Sequence, residues 1–253
     1  MTAGGDQCHT PFGVFDLKRY PARPKEQLQA WNSADILLLE SFLALGLPAR
    51  QALVVNDEHG ALTTALQPAG LWTDSRLSAL AVDANVARNG RLPVTITWST
   101  DPPPRGLNCA VMRVPKQAAY FEYQLSLLAD ALPDGASLLA SGMDKHLSPH
   151  TAATLERCFG PTERYPGKRK ARVFHARKAV RGQPTGEWRV AYRCDALDED
   201  LFSLPNVFSR EQLDIGSRLL LQHLDALEPA TSVVDLACGN GVLGLAAFRA
   251  GLA

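Results

Sequence analysis

The chain of 253 residues has no excess of charge: Lys and Arg number 26, and so do Asp and Glu. This argues against a protein that is basic throughout, as many small nucleic-acid binders are, and leaves room for a local basic patch. Cysteines are few and scattered. Cys8, Cys109, Cys158, Cys194 and Cys238 form no Cys-x-x-Cys pair. That spacing argues against a zinc site or a disulfide framework, so reduced thiols and no metal are expected. Met1 to Phe15 has no uninterrupted apolar run behind a basic stretch, so no secretory signal is expected. No segment has the apolar length needed to span a bilayer, so no membrane partner is expected either. The expectation is a soluble, cytoplasmic protein. Apolar residues make up 46% of the chain, enough for a sizeable core.

What is present is an alternation of two periodicities. Residues 1–27, with Pro11, Pro21 and Pro24, read as an irregular arm. An apolar helix over 31–45 ends at Gly46, with Pro48 beyond. Residues 52–56 (ALVVN) read as a buried strand, 60–66 as a short helix and 70–74 as a strand. A helix over 75–89 takes Asp74 or Ser75 as its cap and Gly90 as its end. Strands follow at 94–98, 109–114 and 136–141. Between them a helix opens at Pro115, and after them another opens at Ser148-Pro149 and stops at Phe159-Gly160-Pro161. Strands alternating with helices imply an α/β fold with a mostly parallel sheet covered on both faces. Residues 171–178 and 188–194 look like two late strands joined by a Gly/Pro turn at 182–186. The first domain therefore spans 28–195. Residues 196–253 are a linker and the incomplete start of a second domain. There Ser209-Arg210-Glu211-Gln212 fits a capping box with Ser209 as the cap. A strand over 232–236 then runs through a glycine turn into a helix over 242–250.

That turn carries chemistry. The strand ends at Asp235, and Leu236-Ala237-Cys238-Gly239-Asn240-Gly241 follow it. Glycines at 239 and 241 let the backbone turn sharply and come close to a ligand. A strand, glycine turn and helix in this order bind dinucleotides in Rossmann folds. Here the spacing is Asp-x-Ala-x-Gly-x-Gly. It resembles the Asp-x-Gly-x-Gly-x-Gly motif of class I methyltransferases, with Ala237 in place of the first glycine. The resemblance implies a turn that cradles S-adenosyl-L-methionine through Asp235, Ala237, Gly239, Asn240 and Gly241.

The segment before it, 206–221, resembles the ribosomal RNA guanine-N2 methyltransferases. Phe208, Ser209, Asp214 and Gly216 match a Val-Phe-Ser element and an Asp-x-Gly-Ser helix start that sit beside the cofactor in that family. Ser209 also reads as a simple helix cap. Further matches run upstream: Leu28-Gln29-Ala30-Trp31 with Ala34-Asp35, Asn56-Asp57 with Gly60-Ala61-Leu62, Val114-Pro115-Lys116, and Phe159-Gly160-Pro161. They are closest to the G-type enzymes that act on large-subunit rRNA, which are related to the C type acting on small-subunit rRNA. The resemblance implies two methyltransferase-like halves, the first decayed and the second active, with 23S rRNA as substrate. The front half shows such decay. After its first strand, only Asp57 and Gly60 remain of a glycine-rich turn. Where an active half has Asn-Pro-Pro-Phe/Tyr, this chain has Arg113-Val114-Pro115-Lys116. The front domain therefore reads as non-catalytic. A competing reading makes Asp57 and Lys116 an unrelated site.

Basic residues crowd 164–181: Arg164, Lys168, Arg169, Lys170, Arg172, Arg177, Lys178 and Arg181. On a neutral chain this is a local cationic surface suited to RNA phosphates, with Lys168, Arg169, Lys170, Arg172 and Arg177 as the candidate contacts. A solvated edge strand guarded by charge is the simpler alternative. Past Gly241 a class I domain still needs a second strand with an acidic end and the Asn-Pro-Pro motif. No catalytic residue is therefore assigned, and the chain reads as a truncated methyltransferase that is inactive alone. The alternative is a non-catalytic RNA-binding or chaperone module on a decayed methyltransferase fold.

Overall fold

The computed structural model describes residues 6–182 and 188–252. The chain divides into two compact units, Met1–Thr185 and Gly186–Ala253.

The first unit is built on three short, almost wholly buried strands: β3 (Ala52–Val55), β6 (Cys109–Arg113) and β7 (Ser137–Met143), preceded in the chain by the hairpin β1 (Gln7–Thr10) and β2 (Gly13–Asp16). Unbroken apolar runs of this kind are what a parallel sheet covered on both faces demands. With β4 (Gly70–Thr73), β5 (Ile96–Trp98), β8 (Thr162–Arg164) and β9 (Ala171–Arg177) they form one seven-stranded sheet, in the order β5-β4-β3-β6-β7-β9-β8. The strands from β5 to β7 run parallel, and β9 is antiparallel to both β7 and β8. The chain turns one way from β3 to β4 and the other way to β6. The gap between β3 and β6 is thus the switch point at which open α/β sheets bind ligands.

Four longer helices flank this sheet: α1 (Ser33–Ala44), α3 (Arg76–Arg88), α4 (Ala118–Ala131) and α5 (Thr151–Cys158), with the short α2 (Ala61–Leu66) between β3 and β4. Asn32 and Asp35 close a capping box on α1, and Ser75 caps α3 by accepting from the Ser78 amide.

Three expectations change. The arm over 1–27 is not irregular throughout: β1 and β2 pair, and Cys8, Phe15 and Leu17 join the buried core. Alternating Cys8 and Phe15 with polar neighbours gave too short a pattern to stand out. The partner of β9 is β8 rather than a strand near 190. The latter, β10 (Val190–Cys194), pairs instead with β11 (Glu199–Ser203) in the second unit, across the stretch expected to be linker. The Gly/Pro turn at 182–186 lies outside the described residues after Gly182.

The second unit holds the β10–β11 hairpin, α6 (Ile215–Leu221) and α7 (Val242–Arg249). Cys194, Leu201 and Val242 form its small core, with Tyr192, Leu213, Leu221 and Leu245 packed against them. The expected strand over 232–236 joins no ladder, and Val234 and Leu236 are 83% and 89% exposed. A strand is fixed by the neighbour that takes its backbone hydrogen bonds. Among the described residues none does so. No described helix is long and apolar enough to cross a membrane.

Candidate functional site

The glycine turn of the second unit is ordered from both ends. The Asp235 Oδ2 accepts from the Gly244 amide at 2.9 Å, which ties the end of the extended segment to the first turn of α7. Ala237, Gly239 and Gly241 all have left-handed backbones, with φ of 59°, 57° and 79°. At glycine this conformation is free of penalty. At Ala237 it costs about 1 kcal/mol, which is the physical content of the departure from a three-glycine pattern. Gly239 also lies under Phe208: a Cβ there would meet the Phe208 ring at 3.3 Å.

Asn240 is the turn's organiser. Its Nδ2 donates to the Tyr192 hydroxyl at 2.8 Å and to the Ser209 carbonyl at 3.1 Å, and its Oδ1 accepts from the Val242 amide at 3.2 Å. Phe208, Ser209, Gly239, Asn240 and Gly241 are therefore gathered around one turn. A cavity of about 440 Å³ opens against Gly239 and Asn240, with Arg189, Phe202, Leu204 and Val207 on its other walls. Tyr192 and Arg189 are two members that sequence reasoning missed. A tyrosine in an alternating strand carries no signal of its own, and both had been placed in the first domain.

The other residues have different roles. Ser209 caps no helix. The cap of α6 is Asp214, whose Oδ2 accepts from the Ser217 amide at 3.1 Å. Ser209 has a φ of 58° and offers its carbonyl to Asn240. Gly216 sits beside the same cap: a Cβ there would lie 3.1 Å from the Asp214 carboxylate.

In the first unit the turn after β3 is tied together by its own side chains. Asp57 is buried, and its two oxygens accept from the Gly60 amide at 2.9 Å, the Thr63 amide at 2.8 Å and the Thr63 hydroxyl at 2.8 Å. Burial pushes its carboxyl up to about 6, against these hydrogen bonds. The carboxylate thus holds the loop over the start of α2. Asn56, with φ of 59°, donates to the Arg113 carbonyl and to Gln124. Lys116 lines a different hollow, with Glu122, His146 and His150, so Asp57 and Lys116 do not share a cavity.

The basic run is split by the sheet. Lys168, Arg169 and Lys170 form the tip of the β8–β9 hairpin. The Lys170 carbonyl accepts from the Asp144 amide at 2.8 Å, just past the carboxyl end of β7. Arg177 lies opposite Ser137, at the start of β7. Seven residue steps separate it from Lys170, roughly 23 Å. Lys168 pairs with Glu40 at 2.7 Å and Arg172 with Asp144 at 3.0 Å. Lys145, which pattern reading passed over, and Lys116, which it had set beside Asp57 instead, stand exposed at the same carboxyl edge. Nearby charge spread over three segments leaves no run in the sequence.

Comparison with known proteins follows the same division. The family model described as the RLMG N-terminal domain matches residues 5–180, and the one described as the methyltransferase small domain matches residues 198–251. The chain is 38% identical to ribosomal RNA large subunit methyltransferase G of Alcanivorax borkumensis, covering 96% of this chain and 65% of that protein. It is 36% identical to the protein of the same name from Streptomyces avermitilis, covering 95% and 66%. The chain thus spans a little under two thirds of these relatives. Among solved structures, the T. thermophilus 16S rRNA N2 G1207 methyltransferase in complex with AdoMet and guanosine superimposes with a TM-score of 0.59 at 18% identity, over 87% of this chain and 57% of that one. At that identity the likeness is one of fold: a Rossmann-like methyltransferase sheet.

Proposed function

The chain belongs to the family of the RLMG N-terminal domain, and from that premise we propose that it is the N-terminal portion of an S-adenosyl-L-methionine-dependent rRNA guanine-N2 methyltransferase acting on 23S rRNA. The first unit recognises RNA and the second begins the cofactor site. The observation that carries this reading is the turn at 237–241. Its backbone is left-handed at three positions, bare of side chains at two of them, and opens on a cavity.

That geometry fits the cofactor. Gly239 and Asn240 would hold it along the backbone, with Asp235 behind them and Phe208 covering the turn. When bound, the cofactor supplies an electrophilic methyl group to the exocyclic amine of guanine. What the protein adds is orientation of the amine in line with that methyl group, rather than covalent chemistry. The 253 residues contain no Asn-Pro-Pro motif to accept from the amine, and no residue among them is assigned that role.

RNA recognition is assigned to the carboxyl edge of the first sheet: Lys168, Arg169, Lys170 and Arg172, joined by Lys145 and Lys116. Arg177, at the far end of β9, is left out. Backbone strain supports this choice. Arg169 and Lys170, with φ of 51° and 60°, occupy the two central positions of a turn closed by Lys168 and Ala171. Asn and Gly are the residues such a turn prefers. Two long cations held there at a cost point to a use for their charge.

The test is mass analysis of 23S rRNA from cells lacking this gene. Loss of one N2-methylguanosine is expected. A 23S rRNA modified identically with and without the gene would remove the reading.

A further inference from the structure

The switch point between β3 and β6 is not empty of chemistry in the decayed unit. Two adjoining cavities open there, of about 220 and 490 Å³. Sizes of this order suit a small ligand. Both are lined by Arg19, Glu58 and His59.

His59 is the observation that calls for a ligand. The residue is only 8% exposed, and neither ring nitrogen has a hydrogen-bond partner among the described residues. Its nearest charged neighbour is the Glu58 carboxylate at 3.6 Å. Buried polar groups are paired as a rule, and a native exception signals a missing partner. Burial holds the imidazole below the usual histidine range, so near neutral pH it offers one donor and one acceptor. The two cavities differ in character. The smaller is lined by Trp31, Asn32 and Arg113, the last two already bonded to Asp35 at 2.8 and 3.0 Å. That mixture suits a flat ring with donors and acceptors on its edge. The larger has three cations, Arg19, Arg23 and Lys25, against two carboxylates, Glu58 and Glu26, the latter 3.8 Å from Arg19, around Ser75 and Ser78 at the start of α3. Ser75 satisfies the Ser78 amide, and the first turn of α3 carries no acid. Its remaining amides point outward and, with the cations, favour an anion.

We propose that this groove is a nucleotide site, the base entering the smaller cavity beside Trp31 and His59 and the phosphate lying at the start of α3 among Arg19, Arg23 and Lys25. The site goes beyond the methyltransferase reading and does not depend on it. The nucleotide is either free or part of an RNA strand, and the same chemistry serves both.

The experiment titrates the 253-residue chain with guanosine and adenosine 5′-monophosphates, with guanosine, and with a short single-stranded RNA. The readouts are the His59 imidazole resonances, assigned by their absence in His59→Gln, and tryptophan fluorescence. Monophosphate binding should shift the His59 signals. Arg23→Ala/Lys25→Ala, a pair that lines only the larger cavity, should weaken the monophosphates about tenfold or more and leave guanosine unchanged. His59→Gln should weaken both up to about tenfold. If only the RNA shifts His59, and both variants weaken it, the source is a nucleotide within a strand. If no titrant shifts His59, or both variants bind the monophosphates and the RNA as tightly as the native chain, the proposal fails.

Discussion

Replacing Asp57 by alanine should cost the first unit about 3 kcal/mol or more. Three donors converge on this carboxylate: the Gly60 and Thr63 amides and the Thr63 hydroxyl, at 2.8 to 2.9 Å. All belong to a buried loop. A buried donor left without an acceptor costs about 1–3 kcal/mol, and alanine strands three at once, with partial relief from relaxation and water. Asp57→Asn keeps one oxygen and loses the charge, so it should cost less. The two variants also separate a second effect. Burial raises the carboxyl from 3.8 to about 6, with the nearby Asp35 charge adding to the rise. The folded state therefore binds this proton more tightly than the unfolded chain. Asp57's contribution to stability is fullest below pH 3.8 and is lost as pH climbs through 6. Over the whole window the change is on the order of 3 kcal/mol, of which about 1 kcal/mol falls between about pH 5 and pH 7.

The assay is urea unfolding followed by tryptophan fluorescence, in which buried Trp72 reports on the first unit. Midpoints are compared for native, Asp57→Asn and Asp57→Ala chains at pH 5 and pH 7. The native chain should gain on Asp57→Asn as pH falls, because only the native chain has the proton to take up. Ion-paired carboxylates, whose pKa is lowered in the folded state, would give the opposite slope. A native-minus-Asn difference that stays level between pH 5 and pH 7 refutes the assignment of the raised carboxyl. A cost below about 1 kcal/mol for alanine refutes the account of the loop.

Gly60→Ala should destabilise the same loop by about 1–2 kcal/mol in the same assay, since the residue has φ of 90° and a Cβ would meet the Val82 backbone at 3.0 Å. Ala237→Gly should do the reverse in the second unit, relieving a left-handed alanine and slowing hydrogen exchange at the Gly239 and Asn240 amides. Reversing charge at Lys145, Arg169 and Lys170 should weaken RNA binding in a gel-shift titration and flatten its salt dependence, by about 0.7 in log–log slope for each single-strand phosphate no longer neutralised. Reversal at Arg177, the same chemistry at the other end of β9, should leave both unchanged.

The sequence was informative where a pattern is local. Buried strands read off as ALVV and CAVM, and the cap at Ser75, depend on a few adjacent residues. The glycine turn at 239–241 was legible for the same reason, since its conformation is written into its own residues. What escaped was set by partners far along the chain. Nothing within Val190–Cys194 says that its neighbour is β11 rather than β9. The segment over 232–236 has the composition of a strand and lacks only a ladder. Ser209 has the side chain and spacing of a cap, yet Asp214 won the helix, and Ser209 became a carbonyl acceptor for Asn240.

The basic run shows the same limit in functional terms. Eight cations in sequence suggested one patch, but a β strand carries its residues forward about 3.4 Å at each step. β9 therefore delivers Lys170 to the carboxyl edge of the sheet and Arg177 to the opposite edge. The side chains that join Lys170, those of Lys116 and Lys145, follow the ends of β6 and β7, where single lysines form no basic run in the sequence. The turn that presents Arg169 and Lys170 is the part of this surface whose cost is visible, and it gives a way to separate charge from structure. Arg169→Asn with Lys170→Gly installs the residues that this backbone prefers. It should raise stability by about 1 kcal/mol or more while weakening RNA binding, the two effects moving in opposite directions. If the double variant is more stable and binds RNA as tightly as before, the strain in this turn serves nothing, and the hairpin is only an edge guarded by charge.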